Sequence, residues 1–200
     1  MKIAIIGAGP GGLYAALAAA RKNIAVALFE KRNVGEGIVC GECIFDSLGI
    51  MTRPSRGLLH CVEGLVLKGG GEYRFPLGNH KPLWMLDRRV WQQDLSSQAQ
   101  ALGVRLHEQA GVTVSDLAQM KRSYDWILDA SGAPSIASRL YGFARDYLQE
   151  CLVAHQVRLA GDFSSLVPCI RVVFIPDLPA EYQPGYAWIF PRDDRSANVG

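Results

Sequence analysis

Along this chain the apolar positions change period from block to block, and each block predicts an element. Lys2-Ile3-Ala4-Ile5-Ile6 is apolar on both faces, as a short buried strand is. Leu13 to Arg21 is Ala-rich and unbroken, which predicts a helix, and Ile24 to Phe29 predicts a second buried strand closing on Glu30. Residues 33–54 are irregular, punctuated by Gly35, Gly37, Gly41, Gly49 and Pro54. Leu58 to Lys68 and Glu72 to Leu77, joined by Gly69-Gly70-Gly71, predict a β-hairpin. Pro82 precedes Leu83-Trp84-Met85-Leu86, a short strand or edge. Asp87 is the expected N-cap of a helix from Arg88 to Ala101, which Gly103 stops. Val104 to Glu108 and Val112-Thr113-Val114 read as short strands, and Tyr124 to Ala130 as another buried strand ending in Ser131-Gly132. Beyond Arg139 the texture changes. Cys151 to Leu159 alternates weakly, Cys169 to Ile175 is strand-like, and Pro176, Pro179 and Pro184 break the stretch beyond it.

This order predicts two interleaved units. An α/β nucleotide-binding unit takes residues 1–54 and 81–139, and a β-rich unit takes 55–80 and 140–200. The 200 residues suffice for one generous domain or two small ones, and 49% apolar against 20% charged residues excludes general disorder. The net charge of +2, without a basic run, argues against nucleic acid as a partner. No apolar stretch approaches the ~18 residues of a spanning helix. The Met1-Lys2 start and Ala18-Ala19-Ala20 mimic a signal peptide, but glycines interrupt the apolar run in a pattern with its own explanation. Five cysteines, an odd number in a chain too large to need staples, point to reduced thiols and a cytoplasmic setting.

That glycine pattern is Gly7-Ala8-Gly9-Pro10-Gly11-Gly12, a G-x-G-x-x-G between a strand and a helix, with a second strand beyond. In this context Gly7 permits the tight turn, Gly9 lets backbone approach a pyrophosphate, and Gly12 lets the helix pack close to the strand. The phosphates would meet free N–H groups at the positive end of the helix. Glu30 stands where a carboxylate accepts hydrogen bonds from an adenosine ribose, and it disfavours the 2′-phosphate of NADP. The fingerprint alone does not separate FAD from NAD.

Three pieces in order resemble the flavoprotein class that shares a fold with glutathione reductase and the aromatic hydroxylases: Gly7 to Gly12 with Glu30; Leu86-Asp87-Arg88-Arg89-Val90-Trp91-Gln92-Gln93-Asp94-Leu95; and Asp129-Ala130-Ser131-Gly132. Two further stretches resemble the geranylgeranyl reductase-type members. These are Glu30-Lys31-Arg32 with Cys40-Gly41-Glu42 after it, and Pro184-Gly185-Tyr186-Ala187-Trp188-Ile189-Phe190-Pro191, a Y-x-W-x-F-P. The tail Ala197-Asn198-Val199-Gly200 is similar to the start of the G-x-G that closes that motif. The resemblance implies a Rossmann-like FAD/NAD(P)-binding domain interleaved with a β-rich substrate domain. It implies FAD as cofactor, with Gly7, Gly9, Gly12, Glu30, Lys31, Arg32, Cys40, Gly41, Arg88, Val112, Ala130, Ser131 and Gly132 as its contacts. Arg88 would approach the ribityl–pyrophosphate region. It also implies saturation of isoprenoid double bonds, with an unidentified electron donor and peripheral membrane contact left open.

Two departures accompany the resemblance. Cys43 stands where the family has Gly after Cys-Gly-Glu, and the family's later Gly-Asp motif and C-terminal helical part are not reached. The expectation is therefore a truncated substrate domain, with weak flavin binding and exposed apolar surface near Gly200 should the chain be whole. Tyr186, Trp188 and Phe190 alternate along a strand and so project to one face, where with Pro191 they would form a wall for a prenyl chain or else a sheet core. Cys40-Gly41-Glu42-Cys43 is also a C-x-x-C, open to three readings: a flavin-side loop, a redox disulfide, or half of a zinc site. His60, His80, His107 and His155 are too scattered to complete a zinc site, so no metal is expected. Cys61, Cys151 and Cys169 are expected to be buried, and Asp193-Asp194 to be a solvated turn. No G-x-S-x-G elbow surrounds Ser131, and no proton-donating residue is identified. An FAD-dependent aromatic-ring monooxygenase, sharing the first three pieces, and a non-catalytic nucleotide-binding module are the alternatives.

Overall fold

The computed structural model describes residues 1–47, 49, 51–77, 82–176 and 185–200. His80, Pro179 and Pro184, singled out above, lie outside the described residues. In chain order the elements are β1 (Lys2–Ile6), α1 (Pro10–Ala20), β2 (Ala25–Phe29), β3 (Cys43–Phe45), β4 (Leu58–Cys61), β5 (Gly64–Lys68), β6 (Glu72–Pro76), β7 (Leu83–Leu86) and α2 (Arg88–Ala101). They continue with β8 (Arg105–His107), α3 (Leu117–Ser123), β9 (Trp126–Asp129), α4 (Ile136–Leu140), α5 (Ala144–Glu150), β10 (Val157–Ala160), β11 (Cys169–Ile175), β12 (Gly185–Pro191) and β13 (Ser196–Val199). The chain divides into two compact units. One is Met1–Ile38 with Arg89–Cys151, the other Val39–Arg88 with Leu152–Gly200. The sequence places its divisions at 54, 81 and 139; in the structure β3 joins the β7 sheet, and α4 packs on α5 within the first unit.

The first unit is a parallel four-stranded sheet in the order β8-β2-β1-β9. Its strands are apolar because helices and strands leave β1 and β2 almost no solvent: Ala4, Ile5, Ile6, Val26, Ala27 and Leu28 are all buried. The alanines of α1 let that helix approach closely, with Leu13, Ala16 and Leu17 facing inward. Ala4, Ile6, Leu117 and Met120 form a core that Phe29, Val112, Tyr124, Ile127 and Ile136 flank.

Two expectations about this unit are corrected. Val112-Thr113-Val114 is not a strand, because Asp116 accepts hydrogen bonds from the Thr113 amide (2.7 Å) and hydroxyl (2.6 Å) and closes a local turn ahead of α3. The helices α3, α4 and α5 occupy stretches to which the sequence pattern assigns no element. Finally, β9 is an edge strand among the described residues rather than a strand buried on both faces, and Trp126 is 66% exposed.

The second unit holds a six-stranded sheet, β10-β13-β12-β11-β5-β6, and a three-stranded sheet, β3-β7-β4. The β5–β6 hairpin pairs Leu65 with Phe75 and Leu67 with Tyr73 across the glycine turn. Its expected first arm is shorter than anticipated. At Val62 and Glu63 the chain leaves one sheet for the other: the Val62 amide donates to the Leu83 carbonyl (2.8 Å), and the Leu77 amide donates to the Glu63 carbonyl (2.8 Å). Leu58–Cys61 therefore belongs to the small sheet. Val62, Met85 and Ile170 form the core, with Leu65, Leu83 and Phe190 packed against it. Exposed apolar residues do lie beside the C-terminal strand, at Val157 and Leu159 on β10, which pairs Val157 with Val199, and more lie along residues 140–153. Gly200 itself exchanges two backbone hydrogen bonds with Trp188. No described helix is long and apolar enough to cross a membrane.

Candidate functional site

In the first unit the turn between β1 and α1 is built by its glycines. Gly7 has φ +98°, and a Cβ there would stand 2.3 Å from the Ala130 carbonyl oxygen. A Cβ at Gly12 would overlap the Gly7 carbonyl, so α1 reaches β1 only because Gly12 has no side chain. Gly9 and Gly11 are different. A Cβ on either would meet nothing within 4 Å, so the outer face of the turn is open. Pro10 begins α1, Gly9 is its cap, no side chain satisfies the cap, and no acidic residue occupies the first turn. This is an electropositive backbone concavity with room for an anion.

Glu30 lies at the end of β2 and is fixed by backbone donors. One carboxylate oxygen accepts from the Ala8 amide (2.8 Å) and the other from the Arg32 amide (3.1 Å). Each oxygen keeps a lone pair for a ribose hydroxyl. The Ala8 bond also ties Glu30 to the glycine turn. Arg32 folds against Gly37, whose φ is +62°, and Lys31 lies beside Gly111.

Across the sheet, Ala130 donates its amide to the Ile6 carbonyl (2.8 Å), and Ser131-Gly132 comes next. Asp129 organises that loop. It accepts from the Ser131 hydroxyl (2.6 Å), the Ser131 amide (3.0 Å) and the Ala137 amide (2.6 Å). Burial works to raise the Asp129 pKa, but these hydrogen bonds outweigh it and hold the carboxyl below its usual range. Val112 is half-buried, its side chain packed on the first core.

The expected cofactor residues fall into two groups. Gly7, Gly9, Gly12, Glu30, Lys31, Arg32, Val112, Ala130, Ser131 and Gly132 share the first unit, whereas Cys40, Gly41 and Arg88 belong to the second.

In the second unit Tyr186, Trp188 and Phe190 do line one face of β12. Neighbouring ring centroids are 6.1 Å apart in tilted contact. Their surroundings differ. Tyr186 is 55% exposed, Trp188 is half-buried, and Phe190 is half-buried on the second core. Pro191 is fully buried, and its carbonyl oxygen lies 2.9 Å from the His60 ring nitrogen Nε2.

The loop Cys40-Gly41-Glu42 lies against this run. A Cβ at Gly41 would stand 3.0 Å from Phe190 Cε2 and 3.3 Å from Trp188 Nε1. Glu42, at φ +65°, is buried and ion-paired with Arg192, and Arg192 also donates to Asp87 (2.9 Å). Arg158 approaches Glu42 from the exposed side at 3.6 Å. Three ionised groups and a fourth at the rim thus neutralise one another where any single charge would be costly.

The cysteines are free. Burial, with Cys40 adding to it, pushes the Cys43 thiol up to about 12, so this sulfur stays protonated and unreactive at neutral pH. A protonated thiol weighs against the redox reading of the C-x-x-C. Among the described residues no cluster of three or more metal-ligating side chains occurs. Cys61 is exposed on β4, not buried as expected, and Cys151 and Cys169 are half-buried. Asp193 accepts from the Arg195 amide (2.8 Å) and the Ser196 hydroxyl (3.0 Å), closing the turn between β12 and β13.

Sequence reasoning missed Glu42 as an ion-pair partner, together with Arg192, Asn198 and Asp129. Arg192 had a signal: a charged residue directly follows a strand that is otherwise apolar or aromatic.

Comparison with known proteins gives this geometry a family. The chain is 25% identical to a digeranylgeranylglycerophospholipid reductase of Methanocella arvoryzae over 99% of its own length and 55% of the relative's. It spans about half the length of the curated relatives it matches. Its fold is similar to that of a geranylgeranyl bacteriochlorophyll reductase-like protein from Thermoplasma acidophilum, with a TM-score of 0.69 and 18% identity over 99% of this chain and 55% of that one. It is also similar to the flavin-dependent halogenase CmlS, with a TM-score of 0.63 and 17% identity over 99% and 40%. The family model for pyridine nucleotide-disulphide oxidoreductases matches residues 1–162. Because that match takes in the entire glycine cradle with both strands that flank it, this chain belongs to the pyridine nucleotide-disulphide oxidoreductase family, FAD-dependent oxidoreductases whose cofactor the cradle fits.

Proposed function

We propose that this chain serves a reductase that saturates carbon–carbon double bonds of a prenyl substrate of the geranylgeranyl type. The observation that carries the reading is the run Tyr186, Trp188 and Phe190, three rings in mutual contact on one face of one strand. An isolated alkene offers no polar handle, so shape and apolar contact must hold it. The name of the Methanocella relative supports the same substrate class.

A bound flavin, reduced by an external donor, would supply the hydride in this reading. With a proton from an acid, the alkene would take up two electrons and two hydrogens. The chain's own residues bind and orient. Gly9 and Gly11 leave room for the pyrophosphate, Glu30 takes the ribose, and the aromatic run excludes water from the prenyl chain. The odd count of five cysteines supports a reducing, cytoplasmic setting, and an apolar substrate would bring peripheral contact with a lipid surface.

The test is anaerobic conversion of a geranylgeranyl lipid by the FAD-loaded protein, with dithionite as reductant. Trp188→Ala is expected to impair turnover while leaving FAD affinity within about twofold. Equal loss of both would assign Trp188 to the sheet core. The second reading, an aromatic-ring monooxygenase, draws on the fold likeness to a flavin enzyme of different chemistry. Oxygen-dependent hydroxylation of a phenol, without anaerobic alkene saturation, would favour it. A colourless protein that takes up no FAD would favour a non-catalytic module.

A further inference from the structure

The side chain of Asn198, on β13, is buried and fully used. Its Oδ1 accepts from the Trp188 indole Nε1 (2.8 Å), and its Nδ2 donates to the Cys40 carbonyl (3.2 Å) and to Gln156 Oε1 (3.1 Å). One amide group therefore touches both the aromatic run and the loop that covers it. Glycine on either side leaves the indole no slack. Gly41 lies against Trp188 Nε1, and a Cβ at Gly200 would stand 2.2 Å from Trp188 Cζ2. The same loop is held again two residues on, by the Glu42–Arg192 pair and by the Leu86 amide on the Glu42 carbonyl (3.0 Å).

We propose that Asn198 is a positioning residue that locks the Trp188 ring and the Cys40–Glu42 loop into one rigid wall, so that the wall's shape is set before a substrate arrives. An ordinary core asparagine would satisfy only its own polar atoms. Here the acceptor atom serves the ring and the donor atoms serve the loop, so the two functions can be separated by chemistry. Asn198→Asp keeps an acceptor for the indole and loses the donor to Cys40. Asn198→Leu loses both. The consequence for ligand selection rests on the prenyl reading above; the clamp itself does not.

Two measurements on the FAD-loaded full chain test this. The first is the rate of iodoacetamide labelling at Cys40, with exposed Cys61 as the reference. Both variants are expected to raise the Cys40 rate about tenfold, the scale of one buried hydrogen-bonded group losing its partner, with Cys61 unchanged. Trp188 emission, assigned against Trp188→Phe, is expected to shift in Asn198→Leu and to hold in Asn198→Asp. The second is binding of geranylgeraniol, expected to weaken about tenfold in Asn198→Leu. Unchanged Cys40 labelling in both variants would overturn the clamp. Should Cys43 also become reactive in Asn198→Leu, that variant has lost its fold and Asn198→Asp carries the decision. Failure of the unsubstituted protein to bind geranylgeraniol would remove the prenyl reading and leave the labelling result standing.

Discussion

Two glycines of the same turn, Gly9 and Gly12, are expected to fail in opposite ways when replaced by alanine. At Gly12 the added methyl would overlap the Gly7 carbonyl oxygen and approach the Ala130 Cβ at 3.4 Å. The obstacle is backbone on the central strand's exit, so α1 has to retreat by more than an ångström to restore ordinary contact. Overpacking of this kind costs about 1–3 kcal/mol, and a backbone obstacle puts it at the upper end. At about 2–4 °C per kcal/mol for a chain of this size, Gly12→Ala is expected to melt roughly 6–10 °C lower without cofactor. At Gly9 the backbone is extended, φ −69° and ψ 177°, which alanine adopts freely, and the methyl meets nothing within 4 Å. The apoprotein is then expected to melt at or slightly above its usual temperature, because alanine narrows the unfolded ensemble by about 0.4–1 kcal/mol.

Cofactor binding should order the two variants differently. On the proposed placement, a pyrophosphate oxygen would approach the backbone N–H groups through the open space at Gly9, and a methyl there would displace it. Losing one or two charge-assisted hydrogen bonds, each worth about 1.5–3 kcal/mol, weakens FAD by at least tenfold. Thermal unfolding of the apoproteins and FAD fluorescence titration measure both quantities. A Gly9→Ala protein that binds FAD as tightly as the unsubstituted chain would refute the placement of the phosphates. One as destabilised as Gly12→Ala would refute the claim that Gly9 is sterically free.

Four further outcomes rest on the same structure. Arg192→Met strands the buried Glu42 carboxylate and is expected to destabilise the second unit by about 3–5 kcal/mol, with Glu42→Met/Arg192→Met recovering most of it in thermal melts. Glu30→Gln replaces one of two backbone-bound acceptor oxygens with a donor, and FAD titration should show affinity falling about tenfold. The Asp129 carboxyl has a folded pKa below its unfolded value, so its contribution is complete above the unfolded pKa near 3.8 and is lost as pH falls through the lower folded value. Acid titration by circular dichroism should show a loss below about pH 4 that Asp129→Asn lacks. With the Cys43 thiol pushed up to about 12, only about one molecule in 10⁴ is thiolate at pH 8, and peptide mapping after brief alkylation should find Cys61 labelled and Cys43 untouched.

The features legible in the sequence are those that local chemistry decides. Gly7 and Gly12 announce themselves because nothing else fits a backbone crossing at that distance. The rings at 186, 188 and 190 share a face because strand side chains alternate. The misses have causes that the local pattern does not carry. Val112-Thr113-Val114 contains β-branched residues and reads as a strand, yet Asp116 closes a turn on Thr113 that competes with sheet pairing. Leu58 to Lys68 reads as one hairpin arm because no residue within it reports that Leu83 will pair with Val62. Cys61 looks like a core thiol by composition, but β4 is an edge strand among the described residues and leaves it exposed. The buried charges at Glu42 and Arg192 lie 150 residues apart, and only the folded chain makes them partners.

The division of labour between the units bears on how such a chain acquires a substrate. The cradle in the first unit is set by backbone: glycine positions, a bare helix start, and a carboxylate held by two amides. Side-chain substitution has little to act on there, which fits a fold likeness that extends to a reductase-like protein and a halogenase alike. The wall in the second unit is set by side chains. Its rings rest on Gly41 and Gly200, its loop is tied by Asn198, and its charge is neutralised by Arg192 and Arg158 against Glu42 and Asp87. Substrate choice is therefore expected to track changes at 186 and 188, while FAD affinity stays constant across them, and a variant at either position that lost FAD in proportion to substrate would contradict that separation.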